Sequence, residues 1–271
     1  MVRIQAGARG LALPFALPAG ALASYRGQGF VQLHGVLADR ELADVSAAIA
    51  AHVAARRREL PPMAERSTYD RAFVQVMNLW RNNEVARTLV FSRRLAGIAA
   101  GLLEVNSVRL YHDQALYKEP GGGATPWHAD QYYWPLSSDR CVTAWIPLQA
   151  TPLAMGPLAF SPGSHRLRAG RDLAIGDESE AAIGRALADR PMVEAPFAPG
   201  DVSFHSGWTF HRAGPNTSTQ PRQVMTIIYM DAEMRLAPPT NANQEADRAT
   251  WCPGIEIGAT IASPLNPVLY P

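Results

Sequence analysis

Between Asp39 and Val53 the apolar positions fall at helical spacing. Leu42, Val45, Ile49 and Val53 recur three and four residues apart, which places them on one face of a helix that Asp39 could cap. Arg56, Arg57 and Arg58 follow where that helix should end, and positive side chains there complement the negative end of the helix dipole. Pro61-Pro62 interrupts the pattern. A second helical stretch is expected from about Glu84 to Glu104, broken near Ser92, on the stripe Val85, Leu89, Leu95, Ile98 and Leu102.

From Ser107 the period shortens to two. Val108, Leu110, His112 and Gln114 alternate with Arg109, Tyr111 and Asp113, and Val142, Ala144, Ile146 and Leu148 alternate with Thr143 and Trp145. Val202 and Phe204 follow the Gly200-Asp201 turn, and Arg222 to Asp231 is a β-branched and aromatic run. Many short strands with Gly- and Pro-rich connections imply a barrel or sandwich with helices packed outside it. The polar stretch 166–191 reads as an insertion able to lie over a barrel mouth. The chain is therefore expected to be one domain over 1–271, with a mainly helical 1–106, a β core over 107–235, and a C-terminal extension over 236–271.

Composition narrows the class. The 271 residues are 47% hydrophobic and 18% charged with a net charge of +1, the profile of a core-forming globular protein. A charge so close to zero gives no electrostatic case for nucleic acid or an anionic membrane as partner. Cys141 and Cys252 form neither a CxxC pair nor a disulfide framework, which fits a reducing cytoplasm. Leu11 to Ala23 imitates a short secretory leader, but Pro14 and Pro18 interrupt its apolar run, so secretion is not expected. No apolar run is long enough to span a membrane.

The chemistry starts at Trp127-His128-Ala129-Asp130. Residues two apart in a strand share a face, so His128 and Asp130 can reach one ion while Ala129 points away. A lone HxD is weak evidence; a distant second histidine on a neighbouring strand strengthens it, and His211 supplies one. Two imidazoles and a carboxylate on one face of an octahedral ion leave adjacent positions open, the pattern of non-haem Fe(II) oxygenases. Arg222 follows Gly214-Pro215-Asn216. A hairpin there would set it beside His211, with its guanidinium placed to pair with a co-substrate carboxylate.

The other histidines fit bland roles. His34 and His52 fall in the helical third, His112 adjoins Asp113 on the opposite strand face, and His165 ends a Pro-Gly-Ser-His turn. His205 is the rival to His211, which is preferred for the turn and arginine that follow it. Phe73, Gln75 and Asn78, with Tyr69 and Trp80, precede the second helical stretch. Tyr133 and Trp134, with Tyr132, and Trp208 flank the metal-ligand candidates. An apolar and polar mixture of this kind suits a pocket for a bulky small molecule.

Several of these segments together resemble the phytanoyl-CoA dioxygenase family of 2-oxoglutarate-dependent oxygenases. They are Ser24-Tyr25-Arg26-Gly27-Gln28-Gly29-Phe30-Val31, Trp127-His128-Ala129-Asp130, Ala144-Trp145-Ile146-Pro147-Leu148, Pro162-Gly163-Ser164-His165, and His211 with Arg222. The resemblance runs from about Ala23 to Asp231. It implies a mainly β fold with flanking helices, a double-stranded β-helix (jelly roll, cupin-like). It implies Fe(II) on His128, Asp130 and His211, and 2-oxoglutarate lined by Gln114, Trp145 and Arg222. With dioxygen, such an enzyme hydroxylates or otherwise oxidises a C–H bond of a small molecule, as in natural-product tailoring, and releases succinate and carbon dioxide. Desaturation, cyclisation, epimerisation and epoxidation are variants of the same chemistry.

Two departures stand out. Met155-Gly156 occupies a place where the family often has Asn-Gly, and Ala213 one where a Ser often follows the distal histidine. No basic cluster suits a coenzyme A phosphate, so the family's name does not name the substrate. Related halogenases lack the carboxylate ligand; Asp130 is present, so halogenation is not expected. A cupin-like metal enzyme without 2-oxoglutarate and a non-catalytic binding barrel are the competing readings. Residue types alone do not indicate the oligomeric state.

Overall fold

The computed structural model describes residues 10–271. Its elements begin with α1 (Ala21–Gln28), β1 (Phe30–Leu33), α2 (Asp39–Glu59), α3 (Thr68–Ala72), β2 (Val74–Met77), α4 (Glu84–Val90) and α5 (Arg93–Leu103). There follow β3 (Val108–Lys118), β4 (Thr125–His128), β5 (Cys141–Pro147), β6 (Leu158–Phe160) and α6 (Asp177–Ala186). Next come β7 (Val193–Glu194), β8 (Val202–Ser206), β9 (His211–Ala213), β10 (Arg222–Asp231), α7 (Ala242–Trp251) and β11 (Val268–Tyr270).

The helices form where the apolar stripes run. Leu42, Val45, Ile49 and Val53 are the buried face of α2, and the three arginines occupy its last turn. Asp39 is not the cap. Ala38 holds that position, and the Glu41 carboxylate accepts from the Ala38 N–H at 2.9 Å, so Asp39 lies in the first turn beside the positive helix end. Ser92 makes the expected break: it separates α4 from α5 and caps α5, its hydroxyl accepting from the Leu95 N–H. Within the leader-like stretch Leu11 and Ala21 are buried in the main core, and the Ser92 hydroxyl donates to the Leu11 carbonyl. Among the described residues no helix is long and apolar enough to cross a membrane.

The strands form two antiparallel sheets. The larger runs β1-β8-β5-β10-β3-β11, with β2 also paired to β3, and the smaller runs β4-β9-β6-β7. Phe30, Trp145 and Val224 from the larger sheet meet Leu158, Phe160 and Ala213 from the smaller in one apolar cluster, so the sheets pack face to face as a jelly roll. The outer face of the larger sheet presents Val142, Ala144, Ile146, Met225, Ile227 and Tyr229 to the helical layer. The N-terminal part is thus less purely helical than its sequence suggests, because β1 and β2 complete the larger sheet. The C-terminal residues also return to the fold, through β11 on β3 and through α7, whose Gln244 amide donates to the Tyr132 carbonyl at 3.0 Å. Within 166–191, α6 lies on the outside of the smaller sheet, packing Ile183 and Leu187 against Trp127 and Phe210.

A bulge in β3 reverses its facing. The register passes from Ile228 opposite His112 to Tyr229 opposite Leu110, which leaves Tyr111 as the extra residue. Val108 and Leu110 therefore face the helices, whereas His112 and Gln114, four residues on in the same alternation, face inward. The four do not share one face as their spacing suggests, because one inserted residue shifts the two-residue period.

Ile98 sits at the centre of the helix–sheet contact with 2% of its surface exposed. Ile98→Ala is expected to cost about 2–5 kcal/mol of stability, read as a lower urea midpoint with an unchanged slope.

Candidate metal and co-substrate site

His128 ends β4 and is paired with His211, which begins β9. That register sets the two imidazole rings 4.2 Å apart between centroids. Asp130 lies beyond the strand rather than within it: Ala129 stays extended (φ −123°, ψ 130°), and Asp130 opens a 3₁₀ turn that runs to Tyr133. One extended residue is enough to bring His128 and Asp130 to the same side, while Ala129 packs outward with Trp127 and Phe210. Asp130 Oδ1 is 3.6 Å from Nε2 of His128 and 3.6 Å from Nε2 of His211.

Hydrogen bonds on the far side of each ring fix its tautomer. His128 Nδ1 is 2.7 Å from the Pro126 carbonyl, and His211 Nδ1 is 3.0 Å from the Thr209 carbonyl. A carbonyl can only accept, so each Nδ1 carries the proton and each Nε2 turns a lone pair towards Asp130 Oδ1. Burial, and then the neighbouring His128, hold His211 well below the usual imidazole range, in the neutral form a ligand needs. Burial alone would raise Asp130, but the surrounding imidazoles, His211 foremost, hold it well below the carboxylate range. The second oxygen is pinned: Thr143 donates to Oδ2 at 2.8 Å, and His205 Nε2 lies 3.1 Å from it. His205 thus stands on β8 behind the carboxylate, and His211 stands with the ligand atoms, which all lie within 4.8 Å of one another. Two imidazoles and one carboxylate oxygen fit a divalent iron with open positions.

Facing this group across the cavity is Arg222, 2% exposed at the start of β10. Its guanidinium lies 5.4 Å from the Trp145 ring centroid and donates through Nη1 to the Gly156 carbonyl, while Nε has no partner. Burial pulls it down to about 9, and no carboxylate pairs with it among the described residues. Lys118, its register partner on β3, is equally buried. It donates to the carbonyls of Gly123 at 2.6 Å and Gly214 at 2.8 Å, and to Thr125 Oγ1 at 3.2 Å. Burial, and then the charge of Arg222, pull Lys118 down to about 6, so Arg222 is the cation of this cavity end. With no carboxylate beside it, that end suits an anion. Gly156 has φ 64°, and a Cβ there would strike the Gly214 backbone, so a side chain at 156 would disturb the carbonyl that holds Arg222. The expected hairpin between His211 and Arg222 does not form. The 214–221 segment crosses from the smaller sheet to the larger, held by Asn216, whose amide donates to the carbonyls of Lys118 and Gln220.

The cavity enclosed by these groups has a volume of about 350 Å³. Gln114 and Trp145 line it, as do Phe73, Gln75, Tyr133 and Trp134. Tyr69 donates to Gln75 at 2.9 Å, and the Gln75 amide donates in turn to Gln114. Four expected lining residues, Asn78, Trp80, Tyr132 and Trp208, lie elsewhere; Trp80 packs on Phe91, and the Tyr132 carbonyl accepts from Gln244 of α7. Asn78 adopts a left-handed backbone (φ 47°) and pairs with the Asp113 backbone, starting the turn into the second helical stretch. Trp208 packs beside α6 under the Arg171 guanidinium, 4.4 Å from its ring centroid. Sequence reasoning missed His112, which the bulge turns inward, and Asp247 and Trp251, which α7 brings from the C-terminal extension. Ile175 is the one residue of the 166–191 segment on the cavity wall, and the Tyr133 hydroxyl accepts from its N–H.

Comparison with known proteins agrees with this geometry. Residues 25–224 match the family model of phytanoyl-CoA dioxygenase (PhyH). A probable alpha-ketoglutarate-dependent hypophosphite dioxygenase from Stutzerimonas stutzeri is 31% identical over 153 residues, 54% of this chain and 53% of that protein. A 1-deoxypentalenic acid 11-beta-hydroxylase from Streptomyces arenae is 29% identical over 220 residues, 73% of this chain and 74% of that protein. The chain spans about half the length of the first curated relatives it matches. Among solved structures, the non-heme alpha ketoglutarate dependent carbocyclase SnoK from nogalamycin biosynthesis superposes with a TM-score of 0.76 at 28% identity, covering 94% of this chain and 99% of that one. The epimerase SnoN, solved with Fe3+, alpha ketoglutarate and nogalamycin RO, gives 0.72 at 28% identity, covering 92% and 97%. With the family model matched over most of its length, and its jelly roll shared with such enzymes, the chain belongs to the phytanoyl-CoA dioxygenase family of iron- and 2-oxoglutarate-dependent oxygenases.

Proposed function

We propose that this protein oxidises a C–H bond of a ring-bearing small molecule, in the manner of natural-product tailoring enzymes, and works in a reducing compartment such as the cytoplasm. The observation that carries this reading is one cavity with an imidazole and carboxylate triad at one side and an uncompensated buried arginine at the other. Iron(II), 2-oxoglutarate and dioxygen supply the oxidation when bound, with succinate and carbon dioxide as by-products.

The chain's own residues bind, orient and shield. His128 Nε2, Asp130 Oδ1 and His211 Nε2 would hold the metal, and the Pro126 and Thr209 carbonyls keep both rings in the ligating tautomer. Thr143 and His205 stop the Asp130 carboxylate from turning away. Arg222, over the Trp145 ring and anchored on Gly156, would take the distal carboxylate of 2-oxoglutarate, while Gln114 borders the same space. Phe73, Tyr133 and Trp134 form an apolar wall that would exclude water and seat a ring system. The relatives' activities, a hydroxylase, a carbocyclase and an epimerase, support small-molecule C–H chemistry with the outcome set by how the substrate is seated. The triad contains its carboxylate, so chloride has no vacant ligand position to fill.

Anaerobic addition of Fe(II) and then 2-oxoglutarate should give the wild type a weak visible charge-transfer band. His211→Ala should lose it. Arg222→Ala should need about 10–100 times more 2-oxoglutarate, the loss of a charge-assisted pair. His205→Ala should keep the band but bind iron roughly 10–100-fold more weakly, as for a residue behind a ligand. Iron binding without any 2-oxoglutarate response, or an unchanged response in Arg222→Ala, would contradict the reading. In turnover assays containing chloride, mass spectrometry should find no chlorinated product.

A further inference from the structure

The end of the cavity under α7 carries a charge that iron and 2-oxoglutarate do not use. Among the described residues the cavity lining holds one cation, Arg222, and two carboxylates, Asp130 and Asp247. Asp130 belongs to the triad and Arg222 faces it, which leaves Asp247 uncommitted. Among the described residues the barrel gives it one hydrogen bond, from the Tyr111 hydroxyl at the β3 bulge to Oδ2 at 2.9 Å, and Trp251 of its own helix hydrogen-bonds it as well.

The surroundings are aromatic. The Trp251 ring lies 5.4 Å from the His112 ring, and Trp134 lies 6.2 Å from His112 and 5.7 Å from Tyr111. His112 does not neutralise Asp247: burial pushes its imidazole down to about 3, so it stands uncharged, with Nδ1 unpartnered. Burial also pushes Asp247 up to about 7, so a cation beside it would favour the ionised carboxylate. A buried carboxylate with no cationic partner, in a pocket lined by aromatic rings, attracts a positive nitrogen by ion pairing, and a nearby ring adds to that attraction. A neutral hydroxyl would gain only the hydrogen bond.

We propose that Asp247, with the neighbouring rings of Trp134 and Trp251, is the specificity site for a positively charged nitrogen on the substrate, so that the enzyme takes a ring-bearing amine. This rests on the cavity being the oxygenase's substrate site. The C-terminal helix then selects the substrate, while the triad and Arg222 on the opposite side serve any substrate alike. Asp247 makes no contact with iron or co-substrate in this arrangement and is a recognition residue only.

The test is anaerobic calorimetry on the full chain with Fe(II) and 2-oxoglutarate, using three indoles of one shape: tryptamine, its neutral N-acetyl form, and tryptophol. Tryptamine should bind about tenfold more tightly than either neutral compound. Asp247→Asn should erase that preference and leave tryptophol binding unchanged, and Asp247→Glu should restore part of it. An unaltered iron–2-oxoglutarate band in Asp247→Asn shows that the variant is folded and loaded. Equal binding of all three compounds, no binding of tryptamine by the loaded wild type, or an amine preference that survives in Asp247→Asn would overturn the proposal. Absence of the band in the wild type would overturn the oxygenase reading instead, and the calorimetry would still report the amine preference.

Discussion

The pairing of His128 with His211 across β4 and β9 is the constraint on which the site depends. It places two imidazoles side by side by backbone hydrogen bonding, with no help from loop conformation. Each ring is then locked by a carbonyl from its own segment, two residues before it. The smaller sheet must be held rigid from behind for this to work, and α6 does that by packing Ile183 and Leu187 against Trp127 and Phe210. The residues that alternate with the ligands are therefore as important to the geometry as the ligands, because they fix which way the strand faces.

The larger sheet supplies the opposing half. Thr143 on β5 and His205 on β8 reach across to the carboxylate oxygen that the ligand position does not use. Arg222, beside Lys118 across β10 and β3, puts positive charge at the other end of the same cavity. A buried guanidinium without a carboxylate is costly to maintain. It persists because the surrounding fold is well packed, with Met225, Ile227 and Tyr229 of the same strand fully buried in the main core. An anion binding there would relieve that cost.

Much of this was legible in the residues. The helical stripes, the break at Ser92, the run from Arg222 to Asp231, and the grouping of His128, Asp130 and His211 follow from period, spacing and donor chemistry. Arg222, by contrast, reaches the cavity by a change of sheet and not by the hairpin its spacing suggests. The illegible parts have physical reasons. A β-bulge at Tyr111 changes the facing of β3, so His112 reads as a bystander next to Asp113 yet lines the cavity. The segment after Gly214 carries a turn's composition but changes sheets, because the long-range pairings of β10 with β3 and β5 decide where it goes. Asn78 and Trp208 have the right residue type near the right motifs, but a left-handed turn and an outward-facing cluster claim them. Asp247 could not be found from local pattern, since nothing in α7 alone says that it docks over the barrel.

The most direct test of the central claim is anomalous diffraction at the iron edge from crystals grown anaerobically with Fe(II) and 2-oxoglutarate. The account predicts a single iron peak bonded to His128 Nε2, Asp130 Oδ1 and His211 Nε2, with 2-oxoglutarate extending from the metal to the Arg222 guanidinium. An iron peak on His205 in place of His211, or 2-oxoglutarate density that avoids Arg222, would contradict it.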